Sequence, residues 1–425
     1  MSFKKVLIIT YYWPPAGGSG VQRWLKFSKY LPENGWKPYV FTPDSPSFEI
    51  KDEDLLSDIH SQTEVWKTPI WEPYKIKDKL LGKSKSSNTG IIQDKTSTKN
   101  KMLNWIRGNI FVPDPKVFWV KPSIKLLTKK IKKEGITHII STGPPHSMHL
   151  IALGLKKKNV DLKWVADFRD PWSELDLLEE FHLTKKSKQK YRDLEKEVLV
   201  NADVTLTVSE SWVESFKDLG SSNVKLITNG FDEDDFNVKK IENDKFIIGH
   251  FGLLNHLRNP RNLWKTLNDL CDENPDFNEK LEIRLSGNID TEVLQNITQY
   301  FHLKNKIKVL GYLSHKDVLK QYNSSSVLLL LLFNSESGKG NYPGKIFEYF
   351  AAKRSILAFG PEDSDTEKLI QKTKMGVFFK YEDTELKKEV LNLFYNDEKT
   401  ISSTDLKGFS RKKLTKDLSK LLNNI

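Results

Sequence analysis

The residues best suited to hold and activate a ligand lie in the stretch Gly338-Lys339-Gly340-Asn341-Tyr342-Pro343-Gly344-Lys345-Ile346-Phe347-Glu348. A glycine-rich loop, the Pro343-Gly344 pair at a helix start and then Lys345 offer one bound anion several N–H donors, a helix-dipole end and a cation. Glu348 stands about one turn further on, where a carboxylate can accept hydrogen bonds from two neighbouring hydroxyls such as those of a ribose. Phosphate donors beside a diol acceptor describe a nucleotide site. A second cationic turn follows an apolar run ending at Phe251, in Gly252-Leu253-Leu254-Asn255-His256-Leu257-Arg258-Asn259-Pro260-Arg261. A glycine turn next to arginines suits a diphosphate. The competing reading makes Arg258 and Arg261 surface helix residues.

Three further clusters lie in the first half. Trp13-Pro14-Pro15-Ala16-Gly17-Gly18-Ser19-Gly20-Val21-Gln22-Arg23 is a glycine-rich turn leading into a helix. Its glycines allow a close backbone approach and the helix start attracts anions, though a plain tight turn needs no more. The spacing is neither Gly-x-Gly-x-x-Gly nor a P-loop, so no dinucleotide or ATPase fingerprint is supported. Thr142-Gly143-Pro144-Pro145-His146-Ser147 follows one predicted strand, and Asp167-Phe168-Arg169-Asp170-Pro171-Trp172 ends the next. His146 alone suits a helix start and Asp170 an ordinary turn. Two acids, an arginine and a histidine on one rim are more than loop chemistry requires.

These clusters must be carried by strands and helices in alternation. Short β-branched or aliphatic runs at Val6 to Thr10, Pro38 to Thr42, His138 to Ser141, Trp164 to Asp167, Val204 to Val208 and Val224 to Thr228 read as buried parallel strands with helical patterns between most of them. After a polar linker, Asn237 to Lys245, the series restarts at Phe246 to Phe251, Leu281 to Ser286, Ile307 to Leu310, Val327 to Leu332, Ser355 to Ala358 and Gly376 to Phe379. The fold class is therefore α/β, with a first domain over 1–236 and a second over 237–405. Residues 406–425 hold Leu414, Leu418, Leu421 and Leu422 at helical spacing, as expected of an amphipathic helix packing back on the first domain. Two doubly wound domains facing a central cleft would gather ligands at the carboxyl ends of their strands.

Composition narrows the setting. The 425 residues suit two or three domains at ~150 residues each, and 38% apolar content allows a wide polar surface. One cysteine, Cys271, excludes an internal disulfide and a Cys-cluster metal site, and fits a cytoplasmic location. Lys4-Lys5 followed by Val6-Leu7-Ile8-Ile9 is too short and too soon interrupted for a secretory signal, and reads as a first strand. The longest apolar run, Val327 to Phe333, is far below the ~20 residues of a membrane-spanning helix. The net charge of +11 is concentrated in residues 75–133, which hold sixteen basic and three acidic side chains with Trp105, Ile106, Phe111, Phe118 and Trp119 among them. That segment, with a polar excursion from Lys83 to Lys101, is either a solvated loop or a surface for anionic lipid headgroups at the inner face of a membrane. A nucleic-acid role ranks last, because no helix-turn-helix, zinc-finger or RNP pattern accompanies it.

In the order and spacing of its motifs the chain resembles a GT-B glycosyltransferase of family 4, of the bacterial polysaccharide type, over nearly its whole length. The resemblance rests on the Pro14 to Gly20 turn, Gly143-Pro144-Pro145-His146-Ser147, the Asp167 to Trp172 run, Thr228-Asn229-Gly230-Phe231-Asp232, and Pro343-Gly344-Lys345-Ile346-Phe347-Glu348-Tyr349-Phe350-Ala351-Ala352. It implies two Rossmann-like domains and metal-independent transfer, with retention, of a sugar from a nucleoside-diphosphate sugar to an acceptor hydroxyl. No cofactor beyond that co-substrate is implied. Gly17, Gly18, Gly252, Arg258, Pro343, Gly344, Lys345 and Glu348 would hold the donor, with Glu348 on the ribose. Arg258 and Lys345 would stabilise the leaving diphosphate, His146 and Asp170 would serve the reacting centre, and Arg169 and Asp167 would face the acceptor. A lipid-linked glycan fits the basic aromatic segment.

Two departures from the family stand out. Gly340 occupies the place where members often carry a second glutamate for the donor sugar, which leaves the sugar open. Asn259 stands where a lysine commonly follows the arginine, so Lys345 or Arg261 must supply that charge. A nucleotide-sugar epimerase of the same fold and a non-catalytic nucleotide-binding subunit are the alternatives.

Overall fold

The computed structural model describes residues 3–48, 50–72, 98–174, 176–236, 243–396 and 406–425. Most of the Lys83 to Lys101 excursion and of the Asn237 to Lys245 linker lies outside the described residues. Two compact units emerge, Met1–Thr228 with Arg411–Ile425, and Asn229–Ser410.

The first unit is built on seven strands: β1 (Lys4–Ile9), β2 (Trp36–Asp44), β3 (Glu64–Pro69), β4 (His138–Gly143), β5 (Lys163–Phe168), β6 (Val204–Thr207) and β7 (Val224–Leu226). They form one sheet in the order β3-β2-β1-β4-β5-β6-β7 with every pair parallel. Its helices are α1 (Ser19–Tyr30), α2 (Thr98–Asn109), α3 (Val120–Glu134), α4 (Ser147–Lys158), α5 (Lys185–Asn201) and α6 (Glu210–Asp218). β1 shows why the run Val6 to Ile9 is unbroken: Leu7 and Ile9 enter the core on one face of the sheet, Val6 and Ile8 the core on the other. A parallel strand covered on both faces has no solvent side on which to place polar residues.

The second unit repeats the plan with β8 (Phe246–Phe251), β9 (Leu281–Ser286), β10 (Ile307–Gly311), β11 (Val327–Leu331), β12 (Ser355–Phe359) and β13 (Gly376–Phe379), all parallel, in the order β10-β9-β8-β11-β12-β13. Its helices are α7 (Arg261–Glu273), α8 (Pro275–Lys280), α9 (Thr291–Thr298), α10 (His315–Ser324), α11 (Glu336–Lys339), α12 (Lys345–Ala352), α13 (Asp365–Thr373) and α14 (Lys387–Tyr395). Val327, Leu329 and Leu331 face one core while Leu328 and Leu330 face the other, so β11 is the central strand its sequence describes.

Helix α15 (Arg411–Asn423) returns to the first unit, where Leu414, Leu418 and Leu422 join the core beside Val21 and Leu25 of α1. The linker reading placed the break between the units at 236/237, whereas the compact units divide after Thr228. The physical reason is that Phe231 bridges to Ser410 and, with Phe236, packs on the second unit's core. β3 is a strand the sequence reading left out. It lies at the sheet edge and buries only Trp66 fully, so it lacks the apolar run that marks the others.

Each sheet reverses its strand order at one place, between β1 and β4 in the first unit and between β8 and β11 in the second. Flanking connections there leave in opposite directions, and the gap beyond the carboxyl ends of those strands is where open α/β sheets take their ligands. Among the described residues no helix is long and apolar enough to cross a membrane.

Candidate functional site

At the reversal point of the second unit β8 ends at Phe251, and Gly252 follows with φ +151°. A side chain there would strain the backbone, and its Cβ would come within 2.9 Å of Lys345 Nζ. The glycine therefore makes room for the lysine, whose ammonium donates to the Phe251 carbonyl at 3.1 Å. Arg258 comes from a short turn, His256–Arg258. Its guanidinium lies 3.6 Å from the ring centroid of Phe333, two residues beyond the end of β11. Two cations thus reach the carboxyl ends of the two strands that flank the gap.

The electrostatics of this pair are unfavourable without an anion. Burial first, and then the Arg258 charge, bring the Lys345 ammonium down to about 7, with Glu348 opposing the shift. Burial brings the Arg258 guanidinium down to about 10. The Arg258 Nε is buried with no hydrogen-bond partner among the described residues. Beneath them His250 is fully buried, with its ring nitrogens 3.0 Å from the Leu329 carbonyl and 3.2 Å from the Leu253 carbonyl. Its pKa is depressed to about 3 by burial, with Lys345 and Arg258 adding to the shift, so at neutral pH it adds no third charge. A recess that crowds two cations and leaves one donor orphaned is arranged for a polyanion.

Glu348 lies one turn along α12 from Lys345. Its Oε2 accepts the Tyr322 hydroxyl at 3.1 Å, and its Oε1 is 3.1 Å from His315 Nε2. Helix α12 follows Gly344, a residue with no side chain to cap the helix start. Pro343 and Gly344 precede that start, and Gly340 closes α11. The structure thus gathers Gly252, Arg258, Lys345, Glu348, Pro343 and Gly344 around one end of one sheet. It also separates the two residues offered for the missing charge: Lys345 stands beside Arg258, whereas Arg261 is exposed at the start of α7. Asn259 is buried and accepts the Trp264 indole N–H at 2.7 Å, a packing role.

The first unit's clusters meet at its own reversal point. Gly18, with φ +85°, precedes α1 without a side-chain cap, and Gly17 donates to the Ile50 carbonyl at 2.9 Å. Arg169 donates from Nε to the Gly143 carbonyl at 3.0 Å, from one terminal nitrogen to Gly20 at 3.3 Å, and from the other to Pro144. Its donors hold the loop after β4 to the first turn of α1. Asp167 is held from several sides. It is fully buried, takes a two-pronged ion pair from Arg23, and accepts the Trp24 indole at 2.7 Å and the Thr142 hydroxyl at 2.9 Å. Its oxygens are engaged by Arg23, Trp24 and Thr142 inside the core.

His146 and Asp170 remain on the rim. The His146 ring stacks on Trp172 at 5.1 Å, its two nitrogens are buried with no partner among the described residues, and burial lowers its pKa well below the ordinary value. A side chain at Gly143 would clash with it and with His149, at 2.7 and 2.6 Å. Asp170 is partly buried, which raises its carboxyl pKa against the pull of Arg169. Sequence reasoning missed Glu195, wholly buried on α5, whose two oxygens accept the backbone N–H groups of Trp172 at 2.7 Å and Ser173 at 3.0 Å. It also missed Tyr322, His315 and Phe333, which sit in segments whose apolar pattern alone explains them.

Solved structures share this architecture end to end. The chain has the GT-B fold. Sucrose-phosphate synthase from Thermosynechococcus elongatus matches with a TM-score of 0.62 at 12% identity, covering 99% of this chain and 98% of that one. TarM of S. aureus, as a mutant in complex with fondaparinux, α-GlcNAc-glycerol and UDP, matches at 0.61 and 12%, over 99% of both chains. A putative UDP-N-acetylglucosamine 2-epimerase from Listeria monocytogenes matches at 0.58 and 11%, over 99% and 96%. No protein-family model and no curated protein matches the sequence. The two parallel sheets of seven and six strands are thus the two Rossmann-like domains of a GT-B protein.

Proposed function

We propose that this GT-B protein is a retaining glycosyltransferase that moves a sugar from a nucleoside-diphosphate sugar to an acceptor hydroxyl. The observation that carries the reading is the pairing of Arg258 and Lys345 at the β8/β11 reversal point with Glu348 one turn along α12. Two cations fit a diphosphate, and a carboxylate at that spacing fits the ribose attached to it.

As the bond from the anomeric carbon to the diphosphate oxygen loosens, negative charge grows on the leaving nucleoside diphosphate. Arg258, Lys345 and the start of α12 stabilise that charge from fixed positions, so the reading needs no metal. The acceptor oxygen bonds to the anomeric carbon on the face the diphosphate leaves, and a phosphate oxygen takes the acceptor proton. The role proposed for His146 and Asp170 is to bind and orient the acceptor hydroxyl within the first unit.

The proposed acceptor is a lipid-linked glycan of cell-surface polysaccharide synthesis, met at the inner face of the cell membrane. Support comes from the basic segment and from aromatic side chains beside it: Trp71 and Phe118 are exposed and in edge-to-face contact at 4.8 Å, and Trp105 is exposed on α2. Trp119, counted in the sequence with these anchors, is buried against Phe41. Binding to anionic but not neutral vesicles, lost at high salt, is the expected result, and indifference to anionic vesicles at low salt removes the lipid part of the proposal.

A thermal-shift screen with nucleoside diphosphates and their sugars tests the core of the reading. A donor bound at the recess raises the melting temperature of the parent through RT ln(1 + [L]/Kd) and raises that of Glu348→Ala much less. Slow donor hydrolysis without acceptor separates a transferase from an inert subunit, and conversion of the donor to an epimer identifies an epimerase. A screen with no stabilising nucleotide overturns the proposal.

A further inference from the structure

Beneath the rim of the first unit a short hydrogen-bonded row runs from β5 through β4 to α4. The Trp164 indole N–H donates to Ser141 Oγ at 2.9 Å, and Ser141 Oγ lies 2.8 Å from His149 Nδ1. All three side chains are fully buried, and the His149 ring is held by stacking on Phe168 at 4.3 Å. The other ring nitrogen of His149, Nε2, has no partner among the described residues, and neither nitrogen of His146 has one. These unpartnered atoms lie close together. A Cβ placed on Gly143 would be 2.6 Å from His149 Nε2 and 2.7 Å from His146 Nδ1, so the glycine leaves open a space that both nitrogens border.

We infer that Ser141 and His149 are positioning residues that fix the tautomer of His146, with its proton on Nε2, so that His146 meets an acceptor hydroxyl as a hydrogen-bond donor to its oxygen. The part played by an acceptor rests on the glycosyl-transfer reading above, and the tautomers do not. An indole N–H can only donate, so Ser141 Oγ accepts from Trp164. The Ser141 hydroxyl proton then needs an acceptor, and among the described residues His149 Nδ1 is the one within reach. Were Nδ1 protonated instead, Trp164 and His149 would both donate to the same oxygen and a buried hydroxyl proton would be left unpaired, the costlier arrangement. His149 therefore carries its proton on Nε2 and presents it to the space beside Gly143. His146 Nδ1 borders that space, where a lone pair suits the neighbouring N–H and a second N–H would oppose it. The His146 proton is left on Nε2. Burial, helped by the Arg169 charge, brings the His149 imidazole down to about 3, and burial lowers His146 well below the ordinary value, in keeping with one proton on each ring at neutral pH. An acceptor hydroxyl gives its proton to a phosphate oxygen in the proposed reaction, so what it offers this N–H is a lone pair, and His146 orients the oxygen without taking its proton.

Long-range 1H–15N correlation spectra of the full chain, deuterated and carrying 15N-labelled histidine, read the tautomers directly at neutral pH without ligand. His146→Asn and His149→Phe assign the two rings among the nine histidines, each by removing one set of signals. In the parent both rings are expected in the Nε2–H form, with Nε2 pyrrole-type and Nδ1 pyridine-type. Ser141→Ala takes the hydroxyl out of the row, and His149 should then lose its single form and His146 follow it into a mixture of tautomers. Ser141→Thr, which keeps a hydroxyl, should preserve both forms, and His149→Phe should release His146 as Ser141→Ala does. If Ser141 and His149 serve packing alone, their variants melt at a lower temperature and leave the His146 tautomer unchanged. A parent with the proton on Nδ1 of either ring, an imidazolium at either position, or a His146 that keeps its form in both Ser141→Ala and His149→Phe overturns the inference. The parent spectrum decides the tautomers even where a variant does not fold. No nucleotide enters the measurement, so a failed nucleotide screen leaves the tautomers standing, and a wrong tautomer leaves the donor recess of the second unit untouched.

Discussion

The Arg258 guanidinium acts on the Lys345 ammonium from within the same recess, and together with burial it holds that lysine at about 7. Neither cation is in a salt bridge among the described residues, and Lys345 feels Glu348 only beyond ion-pair distance. A folded protein that crowds two positive charges without a counter-ion carries a cost that a bound anion removes.

Ligand binding at this recess should therefore take up a proton. A diphosphate beside Lys345 favours the charged ammonium and raises its pKa from about 7. Below the free value the lysine is already charged and affinity is flat. Above it, affinity falls by up to about tenfold per pH unit until the bound-state pKa is passed. Calorimetry in buffers of different ionisation enthalpy checks this, with uptake approaching one proton somewhat above pH 7. Binding with no net proton transfer there would remove Lys345 from contact with the anion.

The same charge should destabilise the empty protein. The folded Lys345 sits at about 7 against an ordinary 10.5, so between those values the unfolded chain binds more proton at this site and stability rises with pH. Lys345→Met is expected to raise the melting temperature of the ligand-free chain at neutral pH, with a gain that shrinks as pH approaches the ordinary lysine value. Nucleotide stabilisation should be lost in the same variant, a trade of function for stability. A melting temperature lowered by the substitution would mean that the lysine's stem or its bond to Phe251 outweighs the charge.

Asp167 gives a prediction of the opposite kind. Arg23 and Asp167 are both buried and joined at 2.8 Å, with Arg23 also donating to the Ile227 and Thr228 carbonyls. Arg23→Met leaves the carboxylate without its cation and should cost the first unit about 3–5 kcal/mol. Arg23→Met with Asp167→Leu should recover part of that. Urea unfolding followed by tryptophan fluorescence reads it, and a single-variant loss below about 1 kcal/mol would contradict the core role assigned to the pair.

Much of the donor recess is legible in the sequence because its chemistry is local. Gly252, Arg258 and the Pro343 to Glu348 run each lie within a few residues of a strand end or helix start, and buried parallel strands announce themselves by unbroken apolar runs such as Val327 to Leu331. What the sequence hides is long-range partnership. Asp167 and Arg169 look like site residues beside His146 and Asp170. Only the fold shows Arg23, 144 positions away, consuming the first. Only the fold shows Arg169 spending its donors on the carbonyls of Gly20, Gly143 and Pro144. Tyr322, 26 positions before Glu348, is hidden in the same way. β3 went unread because an edge strand with one buried tryptophan has neither an apolar run nor strict alternation.

His146 supplies the last prediction. Its ring is shut from solvent, and the charges of His149 and Arg169 would repel an imidazolium there, both of which disfavour that form. Because its pKa is lowered well below the ordinary value, the folded protein keeps it neutral through the range in which histidines normally titrate. A neutral imidazole can orient an acceptor hydroxyl by hydrogen bonding, and cannot supply positive charge or act as an acid near neutral pH. In a transferase assay His146→Asn should lower kcat/KM by about tenfold to a hundredfold, the range expected for a displaced positioning group. The acid limb of the pH profile should stay where the parent has it, because the group that titrates is not this one. Asp170, whose carboxyl is raised by burial, is the group expected to set that limb, and Asp170→Asn should move it. An acid limb near pH 6 to 7 that disappears in His146→Asn would show that the imidazole gains a proton in the working enzyme, and would reverse the assignment.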